Sequence, residues 1–184
     1  MRSAADRRAV FFDRDGTIIH DLGYPRDPDA VRLLPGAGEA LAELQRHGYR
    51  LVLVSNQSGV GRGLLSQKDV ERVHRQLVAC MSRYEVRLDG AYYCFHAPWQ
   101  RCDCRKPSPG LLFRAARELH VDLTRSFMVG DKSSDVEAGR RAGCRTILLV
   151  TAAHAELPSP APDHVTAHWT EAMRYILSHT EERQ

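Results

Sequence analysis

The stretch Ala9-Val10-Phe11-Phe12-Asp13-Arg14-Asp15-Gly16-Thr17 constrains this chain more than any other. A short apolar run rich in Val and Phe reads as a buried strand. It stops abruptly at two carboxylates two positions apart, followed by a glycine, which permits backbone geometry that a Cβ would forbid. In an open α/β sheet, ligands bind beyond the carboxyl ends of the strands, so Asp13 and Asp15 fall where chemistry is expected. An acidic loop that merely closes a strand is the plain alternative, and the rest of the chain has to decide between them.

The same grammar recurs downstream. Residues 50–54 read as a second buried strand, which ends in Ser55-Asn56-Gln57-Ser58-Gly59. Further strands are expected over 90–95, over 126–129 (ending in Gly130-Asp131) and over 145–150. Helical patterns separate them: after Pro35-Gly36 to about residue 47, from an N-cap at Ser66 to about 84, from Ser108-Pro109 to about 120, and over 134–142 up to Gly143. Pro109 is expected in the first helical position, where proline is tolerated. The stretch 18–35 reads as a loop carrying Asp21, Gly23 and Tyr24, and a Pro- and Ala-rich loop over 152–162 leads to a last helix over 170–178. Strand and helix alternate throughout, which means an α/β fold with a parallel sheet covered by helices on both faces, in a single domain of residues 1–184. Asp13/Asp15, Ser55/Asn56 and Asp131/Asp135 all follow strands and so converge on one edge of that sheet.

Charge and composition exclude more than they assert. Lys and Arg exceed Asp and Glu by 26 to 23, a net charge of +3, and the basic residues are scattered, so no nucleic-acid partner is expected. No apolar run approaches the roughly 18 residues of a membrane span, and the first eight residues have no apolar core of a signal peptide. A cytoplasmic protein, monomeric and without a membrane partner, is the expectation.

Of five cysteines, three crowd between positions 94 and 104. In a reducing compartment that crowding argues for metal before disulfide. Cys94, His96, Cys102 and Cys104 offer three sulfurs and one nitrogen, a donor set suited to tetrahedral structural Zn²⁺, although the spacing departs from the usual C-x2-C pairs. Four protein ligands close the coordination sphere, so such a zinc would fix a loop, about 94–107, that delivers Arg105 and Lys106. The plain alternative is a set of loop thiols beside an exposed histidine. Cys80 and Cys144 read as core thiols.

The ordered set Asp13-x-Asp15-Gly16-Thr17, Ser55 after a strand, Lys106, and Gly130-Asp131-x-x-x-Asp135 resembles the haloacid dehalogenase (HAD) phosphohydrolase superfamily. The Cys-x-His…Cys-x-Cys-Arg-Lys-Pro segment and the Asp21-Leu-Gly-Tyr24 loop are similar to its heptose-bisphosphate and histidinol-phosphate phosphatases. The resemblance implies a three-layer Rossmann-like fold with a zinc loop and no cap domain, since the segments 13–55 and 58–106 each have room for about one helix. It implies Asp13 as nucleophile, Asp15 as general acid and base, and Ser55 and Lys106 as holders of the phosphoryl group. It gives Mg²⁺ the ligands Asp13, the Asp15 carbonyl and Asp131. Asp135 is left either behind that metal or as a helix-start aspartate facing the dipole.

Substrate contacts are expected from Asp21, Gly23, Tyr24, Ser55, Asn56, Gln57, Ser58, Arg105 and Lys106, with Asn56 and Gln57 either touching substrate or bracing their loop. The leading expectation is a small phosphorylated sugar, a heptose 1,7-bisphosphate losing its C7 phosphate on the way to activated heptoses for surface glycans such as lipopolysaccharide. Histidinol phosphate is the enzymatic alternative. A zinc-stabilised binding module on an inactive scaffold would be expected to lack the nucleophile or the lysine, and this sequence keeps both.

Overall fold

A computed structural model describes residues 7–150 and 161–181. Strand β1 (Ala9–Phe12) is buried along its whole length and pairs on both sides in parallel, with β2 (Arg50–Asn56) and with β4 (Phe127–Gly130). Outside them lie β3 (Gly90–Cys94), β5 (Arg145–Leu149) and β6 (His164–Thr166), in the order β3-β2-β1-β4-β5-β6. The chain builds outward from β1 to β3 and then returns to the other side of β1. That reversal opens a crevice between β1 and β4, where open α/β sheets bind their ligands.

The period of two along β1 divides the core. Val10 and Phe12 face helices α1 (Ala37–Arg46), α3 (Gln67–Ser82) and α6 (Trp169–Glu181). Ala9 and Phe11 face α4 (Gly110–Leu119) and α5 (Ser133–Ala142). Among the described residues, β1 and β2 are joined by little more than a 3-10 turn and α1, and β2 and β3 only by the single-turn α2 (Ser58–Gly61) and α3. No domain is inserted at either place, as expected. No helix among the described residues is long and apolar enough to cross a membrane.

Several boundaries differ from the expectation. Strand β2 runs on through Ser55 and Asn56, which pair with Tyr93 and Cys94. Pro109 is the cap of α4 and the helix begins at Gly110, whose backbone N–H donates to Asp103 O at 3.1 Å. A Cβ on Gly110 would sit 2.3 Å from that same oxygen, so only glycine allows the helix to start against the cysteine loop. The sixth strand, β6, lies where no strand was expected. It has three residues, and Asp163 just before it accepts hydrogen bonds from Thr146 N and Oγ1 at 2.7 and 2.8 Å, which fixes it against β5. The loop expected over 152–162 lies outside the described residues except at 161 and 162.

Trp169 opens α6 and is the largest fully buried side chain among the described residues. Its ring meets Phe12 edge-on at 6.2 Å, and its Nε1 donates to Thr17 O at 2.7 Å, tying α6 to the turn after β1. Trp169→Phe is expected to keep most of the packing but remove the donor to Thr17, costing about 1–3 kcal/mol. Trp169→Ala is expected to cost about 3–5 kcal/mol. Equilibrium urea unfolding followed by circular dichroism ranks the two, and an unchanged stability in Trp169→Phe would show that the hydrogen bond contributes nothing.

Candidate active site

Three strand ends and one loop supply the site. Asp13 and Asp15 follow β1, Ser55 and Asn56 end β2, and Asp131 follows β4, while Lys106 arrives from the segment after the cysteine cluster. Lys106 is 3% exposed, and its Nζ lies 2.9 Å from Asp13 Oδ1, 2.6 Å from Asp135 Oδ1 and 2.8 Å from Val54 O. Burial alone would pull its pKa down, but the Asp13 and Asp135 carboxylates outweigh burial and hold the ammonium above its ordinary value. The same ammonium outweighs the burial of Asp13 and holds that carboxyl below its ordinary value.

Asn56 explains how Lys106 is aimed. Its Nδ2 donates to Lys106 O and its Oδ1 accepts from Lys106 N, both at 3.0 Å. Of the two roles expected for Asn56, the geometry therefore carries the brace. Gln57 braces as well: its Nε2 donates to Asp15 Oδ2 at 2.8 Å and to Ser55 Oγ at 3.1 Å. Ser55 itself is almost fully buried beneath these groups.

Asp13, Asp131 and Asp135 bring carboxylate oxygens within 4.8 Å of one another. Thr17 Oγ1 donates to Asp131 Oδ1 at 3.0 Å, and Lys132 Nζ is 3.7 Å from Asp131 Oδ2. Asp131 is nonetheless pushed above the usual carboxylate range, mainly by burial and further by the Asp13 charge. Asp135 is pushed up to about 6, by burial first and then by Asp13. Asp13 Oδ1 is buried and its contact with Lys106 lacks hydrogen-bond alignment, so it retains an undirected lone pair. An all-oxygen cluster with unbalanced negative charge and an open lone pair fits a hard divalent cation such as Mg²⁺. Asp135 accepts from Lys132 N at 3.0 Å at the start of α5, as a helix-start aspartate does, and its carboxylate also lies in this cluster. Gly16 has φ +80°, and a Cβ there would lie 2.4 Å from Asp131 Oδ2, so no other residue lets the β1 turn approach this aspartate so closely.

A cavity of about 430 Å³ opens above these groups. Asp13, Asp15, Asn56, Gln57 and Lys106 form its inner wall, and Asp21, Gly23, Tyr24, Ser58 and Arg105 join them in lining it. Arg105 Nη1 is buried without a hydrogen-bond partner. Arg14, Lys132 and Ser134 carried no sequence expectation. Lys132 and Ser134 line the cavity, and Lys132 Nζ also reaches Asp21 Oδ2 at 3.5 Å. Arg14 is fully buried and grips Asp15, with Nη2 2.9 Å from Oδ2. A signal for it was available: an arginine between two aspartates at a buried strand's end can hardly avoid pairing with one of them.

The four residues of the cysteine cluster also come together. Cys94 Sγ lies 3.5 Å from His96 Nδ1, 3.9 Å from Cys102 Sγ and 3.2 Å from Cys104 Sγ, and Cys104 Sγ is 3.3 Å from His96 Nδ1. Tetrahedral Zn–S bonds of about 2.3 Å set ligand atoms roughly 3.8 Å apart, so the donor set has nearly the spacing zinc requires. Burial and the two neighbouring sulfurs hold the Cys104 thiol above its ordinary value, a cost that a bound cation removes.

Comparison with known proteins agrees with this geometry. Residues 10–72 match the family described as haloacid dehalogenase-like hydrolase, and residues 103–172 match a HAD-hydrolase-like family. The chain belongs to the haloacid dehalogenase-like hydrolase family, and it is a phosphatase of that family. The relatives narrow this further. The D-glycero-beta-D-manno-heptose-1,7-bisphosphate 7-phosphatase of Haemophilus ducreyi is 43% identical over 151 residues, spanning 78% of this chain and 83% of that one. The enzyme of the same name from Escherichia coli K12 is 42% identical over 149 residues, or 77% and 78% of the two chains. A solved D,D-heptose 1,7-bisphosphate phosphatase from B. bronchiseptica, complexed with magnesium and phosphate, superposes with a TM-score of 0.83. It is 30% identical and covers 94% of this chain and 99% of its own.

Asn56→Ala should release the Lys106 backbone without touching the carboxylates. The expected result is a fall in kcat of about 10- to 100-fold with the fold intact, as for a small misplacement of a reacting group. Steady-state phosphate release checks it, and an unchanged kcat would mean that the loop holds Lys106 unaided.

Proposed function

We propose that this chain removes the C7 phosphate of D-glycero-β-D-manno-heptose 1,7-bisphosphate through an aspartyl-phosphate on Asp13. The observation that carries this reading is a buried Asp13 with the Lys106 ammonium 2.9 Å from its carboxylate, at the floor of a cavity that also holds Arg105 and Lys132. Two phosphates need two cationic ends. Lys106 serves the reacting phosphate, and Arg105, with a buried unpaired N–H, and Lys132 serve the second. Histidinol phosphate would bring a cationic amine to that second end, where these groups would oppose it. The names of the relatives support the heptose and its β anomer.

In the forward half-reaction an Asp13 carboxylate oxygen bonds to phosphorus as the bond to the sugar oxygen breaks. Asp15 gives its proton to that departing oxygen. Water then attacks the phosphorus and passes its proton to Asp15, and Asp13 is regenerated as phosphate leaves. Ser55 and Lys106 hold the phosphoryl oxygens. Asp13, the Asp15 carbonyl and Asp131 would hold Mg²⁺, which supplies positive charge against the phosphoryl group. Cys94, His96, Cys102 and Cys104 would hold Zn²⁺, with no open position for chemistry.

Phosphate release with Mg²⁺ from both heptose anomers and from histidinol phosphate tests the substrate. The expected preference for the β-heptose is 100-fold or more in kcat/KM, about 2.7 kcal/mol. A preference for histidinol phosphate would overturn the substrate and keep the nucleophile. Asp13→Asn is expected to reduce release to background, and retained turnover would end the covalent reading.

Zinc has its own test. Chelation is expected to lower Tm and turnover together and zinc addition to restore both, whereas an unchanged Tm would remove the structural role assigned to the cluster.

A further inference from the structure

Arg14 is the one fully buried arginine among the described residues, and its energetics are poor for a purely structural group. Its Nη1 is buried with no hydrogen-bond partner, and its single ion pair is with Asp15. A buried guanidinium that leaves donors unsatisfied adds little to stability. Tyr93 lies close by, but burial pushes its hydroxyl up to about 12, so it stays neutral, and Asp15 is the carboxyl that Arg14 grips.

The contacts on Asp15 are lopsided. Oδ2 receives Arg14 Nη2 at 2.9 Å, Arg14 Nε at 3.2 Å and Gln57 Nε2 at 2.8 Å. Oδ1 receives Arg14 Nε alone, at 3.1 Å. Gln57 in turn is fixed by Arg14, whose Nη2 donates to Gln57 Oε1 at 2.8 Å. A carboxylate oxygen has about two lone-pair sites, so Oδ2 is saturated and Oδ1 retains capacity. The Asp15 side chain is still 12% exposed, toward the cavity it lines.

We propose that Arg14 and Gln57 are positioning residues that pin Asp15 by Oδ2 and leave Oδ1 to carry the proton to the leaving group. This rests on Asp15 being the general acid. As the phosphorus–oxygen bond breaks, the Oδ1 proton moves to the departing alcohol oxygen, Asp15 becomes a carboxylate, and the phosphoryl group is left on Asp13. With no cap domain to close over the acid, its rotamer is set from below, by a fork whose planar geometry a lysine does not reproduce.

Leaving-group dependence separates positioning from general damage. An alkoxide leaves poorly and needs the proton, whereas 4-nitrophenolate leaves without it. The quantity to compare is kcat/KM, which ends at alcohol release and excludes the later hydrolysis, in which Asp15 acts on every substrate alike. Arg14→Lys, Arg14→Met and Gln57→Met are assayed on the heptose bisphosphate and on 4-nitrophenyl phosphate, with Asp15→Asn as reference. The expected loss is about 10- to 100-fold on the sugar phosphate and under about 3-fold on the nitrophenyl ester, with Asp15→Asn showing the same selectivity more strongly. Equal losses on both substrates, or none on either, overturn the proposal while Asp15→Asn remains selective. If Asp15→Asn shows no selectivity, the acid assignment falls and this proposal falls with it. Should the Arg14 variants fail to fold, Gln57→Met is judged by the same criterion.

Discussion

The structure depends on one buried ammonium. Lys106 Nζ sits among Asp13 Oδ1, Asp135 Oδ1 and Val54 O, and its side chain is 1% exposed. A charge so far from water tolerates neither the loss of a partner nor much displacement, because an uncompensated buried ion costs several kcal/mol. The three partners belong to three different elements: the end of β1, the start of α5 and the backbone of β2. Their common hold on Lys106 therefore ties the start of α5 to the ends of the paired strands β1 and β2, and it fixes the loop that brings the lysine in.

Charge counting around that ammonium shows what the fold leaves unfinished. Four carboxylates, Asp13, Asp15, Asp131 and Asp135, face two fully buried cations, Arg14 and Lys106. Arg14 neutralises Asp15, and Lys106 is shared by Asp13 and Asp135. Asp131 accepts from the Thr17 hydroxyl and lies 3.7 Å from the half-exposed Lys132. The deficit falls at Asp131 and Asp135, the two carboxyls that are pushed up. Its size is what one divalent cation fills. A phosphate bound there would restore negative charge, and Arg105 and Lys132 line the same cavity.

The architecture was legible in the sequence because buried strands of a parallel sheet are continuous apolar runs, and here each of the three central ones ends in a polar cluster. Asp13, Asp15, Ser55, Asp131 and Lys106 were legible as an ordered set. The three residues of β6 were not, since their pattern is too short to carry a period and their placement depends on Asp163 capping Thr146 across the chain. Arg14 carried a usable signal, its place between two aspartates at the end of a buried strand, but the sequence does not say which aspartate it grips or that it is fully buried. Gln57 and Asn56 left two roles open because an amide beside a substrate and an amide beside a backbone look alike in sequence. Pro109 satisfied the rule for a first helical position, yet the close approach of Gly110 to Asp103 moved the helix start by one residue.

The cysteine cluster and Lys106 form one piece, and the register of the sheet shows why. Cys94 is the last residue of β3 and lies opposite Asn56, the residue whose amide grips the Lys106 backbone. Gln57 N donates to Cys94 O at 2.7 Å, so the brace of Asp15 hangs from the same cysteine. Among the described strands β3 is an edge, paired on one side only, and edges are where a sheet yields first. A zinc ion on the proposed ligand set would pin the end of that edge strand. Through Asn56 and Gln57 it would then steady both Lys106 and Asp15. Such a local cross-link would do part of what an inserted cap does by closure, while leaving the mouth of the cavity open.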